Sequence, residues 1–262
     1  MYSFDFTKAS SIEEASKHLK TAGSQLIAGG QTLIPTLKQR LACPKKLVSL
    51  SRISEMNYVR INDSGEICIG GATSHFEVSK RAGKFPALAE MAGRIGDPAV
   101  RYRGTIGGSL ANNDPAACYP SAVLASQAKV ITDRRQITAN DFFLGMFETV
   151  LAENEIIVEV RFPIPLVANY QKFVQPASRF ALVGVFVAKD HTGVRVAVTG
   201  ASENGVFRWM EAEEALEKNF SYKAIEKLKH ENVDLISDIH ASSDYRAHLV
   251  SVLTKRSILA CR

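Results

Sequence analysis

The chain has 262 residues, a formal net charge of +5, 46% hydrophobic residues and 23% charged residues. This composition is typical of a globular protein with a substantial core, and the length suits one large domain or two ordinary ones. Lysines and arginines are spread along the chain, without a basic block interleaved with aromatic residues. The pattern therefore argues against a nucleic-acid-binding protein.

The N-terminus and the cysteines indicate the compartment. The first residues show no basic stretch followed by an apolar stretch, and the longest apolar run, at 180–188, is too short for a membrane span. The four cysteines are Cys43, Cys68, Cys118 and Cys261. Their scattered positions argue against a zinc or iron–sulfur site on this chain alone. We expect a cytoplasmic protein with reduced thiols, no membrane span and no metal of its own.

Periodicity and turn residues predict mixed helices and strands over the first 165 residues. Ser11 with Glu14 three positions later forms a capping-box pattern at the start of the first helix. We expect helices at 12–20, 32–38, 85–95 and 120–128, and strands at 25–28, 46–50, 58–61, 66–70, 129–132, 136–137 and 156–162. In the last strand, even-numbered apolar residues alternate with Glu159 and Arg161, which is typical of a half-buried strand.

A boundary between two units is expected at Pro163 and Pro165. Beyond it we expect strands at 181–188 and 194–199, then helices at 210–218, 222–230 and 245–260. Strands followed by helices predict a small α+β domain. The expected units are residues 1–165, with subdomains of about 1–56 and 57–165, and residues 166–262.

Two glycine turns carry the strongest functional signal. They are Ala28-Gly29-Gly30-Gln31-Thr32-Leu33 and Gly104-Thr105-Ile106-Gly107-Gly108-Ser109-Leu110. Glycine allows positive φ and a close approach to a ligand, and the exposed amides of such turns form anion-binding concavities. Each turn alone is a common strand–helix connection. Together they predict a site that holds both phosphates of a dinucleotide from opposite sides.

The usual dinucleotide and nucleotide motifs are absent from the chain. No G-x-G-x-x-G opens a βαβ unit, and no G-x-x-x-x-G-K-[ST] occurs. Both a nicotinamide-binding Rossmann domain and a P-loop are therefore disfavoured.

With the segment Ala111-Asn112-Asn113-Asp114-Pro115, the two turns resemble the FAD-binding middle subunits of molybdenum hydroxylases, the xanthine dehydrogenase and carbon monoxide dehydrogenase family. Segments 170–173, 179–185 and 196–201 are also similar, so the resemblance covers nearly the whole chain. It implies an α+β fold. A two-subdomain FAD-binding domain of the vanillyl-alcohol oxidase/MurB type is followed by a small α+β C-terminal domain of the carbon monoxide dehydrogenase flavoprotein type.

The resemblance also implies a cofactor site. The two turns would cradle the FAD pyrophosphate, Ile95 and Ile157 would lie beside the flavin, and Lys172 would make a polar contact. For Asp114, a cofactor hydrogen bond and a turn-starting role remain equally good interpretations. The implied cofactor-binding residues are Ala28, Gly29, Gly30, Gln31, Thr32, Leu33, Ile95, Thr105, Gly107, Gly108, Ser109, Asp114, Cys118, Ile157 and Lys172.

Cys118 departs from the family pattern, which often has an acidic residue at this position. A thiol is a weak hydrogen-bond acceptor, and losing one such bond weakens binding by roughly 0.5–1.5 kcal/mol. Cys118→Asp is therefore expected to tighten FAD retention. Near the turns, His75 is interpreted as a polar residue that starts a helix, and Arg101 and Arg103 as solvated side chains.

The resemblance implies an electron-transfer role in a molybdopterin-dependent oxidoreductase. Substrate would be oxidised on a large molybdopterin-binding subunit, and electrons would cross [2Fe–2S] clusters on a small iron–sulfur subunit. FAD on this chain would pass them to an external acceptor, such as NAD⁺, a quinone or oxygen. No side chain of this chain is expected to act as a general acid or base, and no [4Fe–4S] insertion is expected.

Two other functions remain open. One is a self-sufficient FAD oxidoreductase of the vanillyl-alcohol oxidase/MurB type, although the segment after Pro165 offers few acid–base candidates. The other is a scaffold subunit that has lost flavin chemistry, for which Cys118 is the one hint. The stoichiometry, whether one heterotrimer or a dimer of heterotrimers, is also left open.

Overall fold

The computed structural model describes residues 1–177 and 179–261 as an α+β fold. In chain order its elements are β1 (Asp5–Lys8), α1 (Ile12–Leu19), β2 (Ser24–Ile27), α2 (Leu33–Lys38), β3 (Lys46–Ser49), β4 (Val59–Ile61), β5 (Ile67–Gly70), α3 (His75–Arg81), α4 (Pro86–Gly93), α5 (Pro98–Arg103), α6 (Ile106–Asn112), α7 (Tyr119–Ala125), β6 (Lys129–Thr132), β7 (Gln136–Thr138), α8 (Ala139–Phe142), β8 (Phe143–Gly145), β9 (Glu148–Thr149), β10 (Ile157–Phe162), β11 (Val167–Val174), β12 (Ala181–Asp190), β13 (Gly193–Ser202), β14 (Gly205–Arg208), α9 (Met210–Lys218) and α10 (Ser243–Ala260).

The N-terminal sheet is parallel, with β3 between β1 and β2. Parallel neighbours need crossover connections, which α1 and α2 supply. Ala15 and Leu19 of α1 pack with Val48 of β3 in a small core. Because the carboxyl ends of parallel strands meet at one edge, the glycine turn after β2 lies at the same edge as Leu50, just after β3.

A second sheet is antiparallel in the order β4-β5-β10-β6-β7. Its apolar face packs against α4, α6 and α7, in a core that includes Phe85, Tyr119 and Phe162. Tyr170 of β11 and Phe186 of β12 belong to the same core. Apolar packing therefore continues from residues 1–165 into the C-terminal part of the chain.

The third sheet is antiparallel in the order β11-β12-β13-β14. Helices α9 and α10 pack against it, and Trp209, Leu216 and Val250 belong to the core between them. Helix α7 contacts β12 and β13 and joins this sheet to the second one. In the described part of the chain, no helix is long and apolar enough to cross a membrane.

Most predicted elements are confirmed, with ends that differ from the prediction by at most three residues. The predicted capping residue is also confirmed, because the Oγ of Ser11 accepts a hydrogen bond from the amide of Glu14 at 3.1 Å. The predicted helix at 120–128 ends at Ala125, because Gln127 adopts a left-handed conformation with φ 51°. The elements missed by the sequence analysis are β1, α5, α6, α8, β8, β9, β11 and β14, and of α3 only the start at His75 was expected.

The predicted helix at 222–230 is wrong, because only Tyr222–Ile225 forms a short 3₁₀ turn. A helix would need the amide of His230 to donate to the carbonyl of Glu226. Instead, that amide donates to the Oγ of Ser251, and the carbonyl accepts from the Nζ of Lys255. Both partners lie on α10, so tertiary contacts replace the helical hydrogen bond.

The simple alternation predicted for 156–162 is also wrong in its first half. The pairing of β10 with β6 shifts register between Ile157 and Glu159, as in a β-bulge. Ile156, Ile157 and Glu159 are all buried, whereas Val158 is half-buried. The bulge allows Ile157 to line a cavity beside the sheet, while β10 stays paired with its neighbouring strands.

Candidate functional site

The structure places all fifteen predicted cofactor-binding residues around one cavity of about 670 Å³. Cavities of 300–1,000 Å³ are typical of small-molecule and cofactor sites. This one lies at the carboxyl edge of the parallel sheet, where open α/β sheets usually bind ligands. The other walls come from the start of α6, the bulged start of β10, and Lys172 on β11.

The first glycine turn depends on glycine at two positions, for different reasons. Gly30 has φ 71°, a backbone conformation that few other residues adopt. Gly29 instead packs directly on the second turn. A Cβ at Gly29 would lie 1.9 Å from the carbonyl oxygen of Arg103 and 2.8 Å from the Cα of Gly104. Backbone-to-backbone contact therefore holds the two glycine turns together.

Four successive amides in the first turn lack an acceptor within the protein. Among residues 1–177 and 179–261, the amides of Gly29, Gly30, Gln31 and Thr32 donate no hydrogen bond to the chain. They line the cavity. A run of free amides in a turn favours an anion such as a phosphate. The turn therefore fits the pyrophosphate of a dinucleotide.

The second turn proves to be the start of helix α6 rather than a loop. Thr105 caps the helix, and its Oγ1 accepts a hydrogen bond from the amide of Gly108 at 3.2 Å. A Cβ at Gly107 would lie 2.6 Å from the carbonyl oxygen of Gly71, so this glycine allows α6 to pack against the strand end after β5. Gly108 faces Ala28 of the first turn.

Asp114 starts a turn and also lies at the cavity. Its Oδ1 accepts a hydrogen bond from the amide of Ala116 at 2.8 Å, as expected of a residue that starts a turn. The same residue lines the cavity, and burial raises the pKa of its carboxyl group. The turn-starting role is thus observed, and a cofactor contact stays a prediction.

Lys172 and Cys118 contact each other in the lining of the cavity. The Nζ of Lys172 lies 3.7 Å from the Sγ of Cys118 and donates to the carbonyls of Arg94 at 2.7 Å and Arg179 at 3.1 Å. Ile95, which follows Arg94, also lines the cavity. The ammonium group is therefore bound to the loop that carries Ile95, a residue that the resemblance places beside the flavin.

Glu155 supports the cavity wall and was not predicted as a site residue. Its carboxylate accepts hydrogen bonds from the guanidinium of Arg135 at 2.9 Å, from the Oγ1 of Thr132 at 2.7 Å and from the amide of Ala152 at 2.7 Å. These bonds, led by the one from Arg135, lower the pKa of Glu155 to about 2. The network fixes the segment before Ile157. Nothing in the sequence around Glu155 indicates this network, because its partners Arg135 and Thr132 are about 20 residues away in the chain.

Arg101 is bound to the site rather than solvated, in contrast to the sequence interpretation. Its Nη1 donates to the carbonyls of Ile95 at 3.1 Å and Gly96 at 2.9 Å. Arg101 therefore fixes the loop that carries Ile95. The unpredicted helix α5 is what places the side chain there.

His75 is a buried titratable residue in the cavity wall. It starts α3, as expected, after the cap formed by Ser74, but it is only 5% exposed, and its Nδ1 has no hydrogen-bond partner. Its ring packs against Gly104 and lies 5.3 Å from the ring of Tyr119. Burial, helped by the positive charge of Arg101, lowers the pKa of His75 to about 4. His75 is therefore neutral at neutral pH.

This shift predicts acid sensitivity between pH 6.5 and 4. In that range the unfolded chain protonates His75 at its ordinary pKa of 6.5, whereas the folded chain does not. Stability is therefore retained above pH 6.5 and lost as pH falls, by about 2 kcal/mol between pH 7 and pH 5. Urea unfolding of the wild type and His75→Gln at both pH values checks this. His75→Gln should remove that loss, and exposed His191→Gln should not. Equal losses in the wild type and His75→Gln would refute the prediction.

A glycine-lined cavity with free amides, set between a parallel sheet and an antiparallel sheet, defines a protein that binds a nucleotide cofactor. Residues 2–165 match the sequence model of a family described as the FAD binding domain in molybdopterin dehydrogenase. The chain belongs to this family, that of the FAD-binding medium subunits of molybdenum hydroxylases, and FAD is its cofactor.

Individual relatives and structures agree with this assignment. The chain is 30% identical to the carbon monoxide dehydrogenase medium chain of Hydrogenophaga pseudoflava, over 98% of this chain and 96% of that protein. It is 32% identical to the glyceraldehyde dehydrogenase medium chain of Sulfolobus acidocaldarius, over 97% and 96%. The crystal structure of quinoline 2-oxidoreductase from Pseudomonas putida 86 contains a chain with TM-score 0.88 and 28% identity, covering 99% of this chain and 96% of that one. The expected α+β FAD-binding fold is thereby confirmed.

Proposed function

We propose that this chain holds FAD between its two glycine turns and transfers electrons from the [2Fe–2S] clusters of a small partner subunit to an external acceptor. The observation that carries the proposal is the run of four free amides, Gly29 to Thr32, on the wall of a cofactor-sized cavity. The relatives named as medium chains of carbon monoxide and glyceraldehyde dehydrogenases support the place of the chain in a larger complex.

The residues of this chain position the cofactor rather than take part in bond chemistry. The free amides of the first turn and the start of α6 would hold the pyrophosphate. Ile95 and Ile157 would provide apolar walls beside the flavin, and Lys172 a charge. FAD itself accepts and releases the electrons, and the protein determines its orientation, polarity and access.

The assignment of two domains to the chain is part of the same proposal. Residues 1–165, with subdomains of about 1–56 and 57–165, form the FAD-binding domain, and residues 166–262 form the C-terminal domain. The family match over residues 2–165 supports this division. Tyr170 and Phe186 tie the C-terminal domain to the core of the second sheet, and Lys172 on β11 gives that domain a part in the cavity wall.

The partners belong to the proposal as well. A large molybdopterin-binding subunit would oxidise the substrate, and a small iron–sulfur subunit would pass the electrons on. The names of relatives such as the nicotine 6-hydroxylase medium subunit of Paenarthrobacter nicotinovorans support a multi-subunit assembly. NAD⁺, a quinone or oxygen would be the final acceptor, in the cytoplasm.

The visible spectrum of the protein purified from its native source tests the proposal. We expect flavin absorption bands, release of FAD by acid, and co-purification of a molybdopterin subunit and an iron–sulfur subunit identified by mass. Flavin without partners would instead favour a self-sufficient oxidoreductase. Absence of flavin even after FAD is added would refute both, and would leave a scaffold subunit.

A further inference from the structure

Lys172 places a buried positive charge on the wall of the cavity. The residue is only 7% exposed, so its ammonium group is largely removed from water. The hydrogen bonds to the carbonyls of Arg94 and Arg179 and the contact with the Cys118 thiol satisfy its donors. Within the described residues, Lys172 forms no ion pair with a carboxylate.

The acids that line the cavity do not neutralise this charge. Glu155 is already bound by the guanidinium of Arg135. The Oδ1 of Asp114 is engaged by the amide of Ala116, and burial favours the neutral form of this acid by raising its pKa. Of the protein groups around the cavity, Lys172 therefore contributes a positive charge that is not matched locally.

We propose that Lys172 raises the midpoint potential of the bound flavin and that Cys118 keeps the Lys172 charge uncompensated. The inference rests on the proposed function, since it requires FAD in this cavity. Reduction of the flavin by two electrons with uptake of one proton leaves one additional negative charge on the cofactor. A buried ammonium group stabilises that charge strongly, because the local dielectric constant is low.

Cys118 determines the strength of this effect. Its Sγ faces the ammonium group at 3.7 Å, at the position from which a carboxylate would form an ion pair with Lys172. A neutral thiol leaves the full positive charge directed at the cofactor. A carboxylate in its place would form an ion pair with Lys172 and so weaken the attraction between Lys172 and the reduced flavin. It would still accept hydrogen bonds from the oxidised cofactor.

The test is a potentiometric titration of the FAD-loaded full chain, with any subunits that accompany it. We expect Lys172→Met and Cys118→Asp each to decrease the preference for reduced over oxidised flavin by at least about tenfold, equivalent to about 30 mV for a two-electron couple. Cys118→Ser, which keeps a neutral side chain, should match the wild type. Lys255→Met is the control, because Lys255 also donates to a backbone carbonyl, that of Glu226, but lies outside the cavity.

Each outcome separates the inference from the proposed function. Unchanged potentials in Lys172→Met and Cys118→Asp, with FAD bound, would overturn the inference. A wild-type potential that matches Cys118→Asp and differs from Cys118→Ser would show a charged thiolate and would overturn the role of Cys118. If the wild type takes up no FAD, the proposed function itself fails. Should Lys172→Met not fold, as judged by circular dichroism, Cys118→Asp and Cys118→Ser decide the question.

Discussion

Replacing Gly29 by alanine is expected to abolish FAD retention and to lower the free energy of unfolding by about 1–3 kcal/mol. The added Cβ would lie 1.9 Å from the carbonyl oxygen of Arg103 and 2.6 Å from its carbonyl carbon. These are backbone atoms, which cannot rotate away as a flexible side chain can. The two glycine turns must therefore separate, which disrupts the cavity between them.

The measurement is FAD content after gel filtration, combined with urea unfolding of the same preparations. Gly83→Ala is a matched control, because a Cβ there meets no atom within 4 Å and the residue does not have positive φ. We expect Gly83→Ala to retain FAD and wild-type stability. A Gly29→Ala variant that retains FAD as the wild type does would show that the contact between the turns does not determine cofactor binding.

The glycine turns are the part of the site that could be predicted from the sequence. Gly30 needs a positive φ, and Gly29 needs a close approach, so both positions carry a restriction that is visible in the sequence. The resemblance placed Ile95, Ile157 and Lys172 with these turns, although they are distant in the chain, and the structure brings all of them to one cavity. Their contacts with FAD stay predictions.

The unpredicted parts of the site depend on tertiary contacts. The sequence suggests a solvated side chain for Arg101, whereas in the structure α5 places it within hydrogen-bond distance of the carbonyls of Ile95 and Gly96. Glu155 gains its role only when Arg135 approaches from 20 residues away in the chain. The pattern of residues 222–230 carries helical periodicity, but α10 takes up the backbone groups that the helix needs. Single-sequence patterns contain none of these long-range partners.

The helical conformation of the second glycine turn was not predicted from the sequence. Glycines disfavour helix interiors, so the pattern at 104–110 predicts a loop. In the structure, Gly107 and Gly108 lie in the first turn of α6, and the absence of a side chain at Gly107 allows the helix to pack against the backbone of Gly71. Close packing compensates for the low helix propensity. The next residue, Gly108, faces Ala28 of the first glycine turn.

Replacing Glu155 by alanine is the second change expected to have a large effect. The variant removes a carboxylate that accepts hydrogen bonds from Arg135, Thr132 and the amide of Ala152. Arg135 and Thr132 keep bonds to backbone carbonyls, whereas the amide of Ala152 loses its acceptor. Hydrogen bonds to charged groups contribute roughly 1.5–3 kcal/mol, and Arg135 is half-exposed, so we expect a loss of about 2 kcal/mol in the free energy of unfolding. The wall segment that ends at Ile157 should loosen, and FAD should bind more weakly.

Glu153→Ala provides the control, because Glu153 lies two residues away in the same segment but is exposed. The pH dependence gives an independent check on the mechanism. The pKa of Glu155 is lowered from 4.5 to about 2, so its stabilisation is present above pH 4.5 and is lost as pH falls toward 2. Urea unfolding from pH 7 to pH 3 should therefore show the difference between Glu155→Ala and the wild type shrinking below pH 4.5. A difference that stays constant down to pH 3 would mean that the stabilisation comes from packing of the side chain and not from its charge.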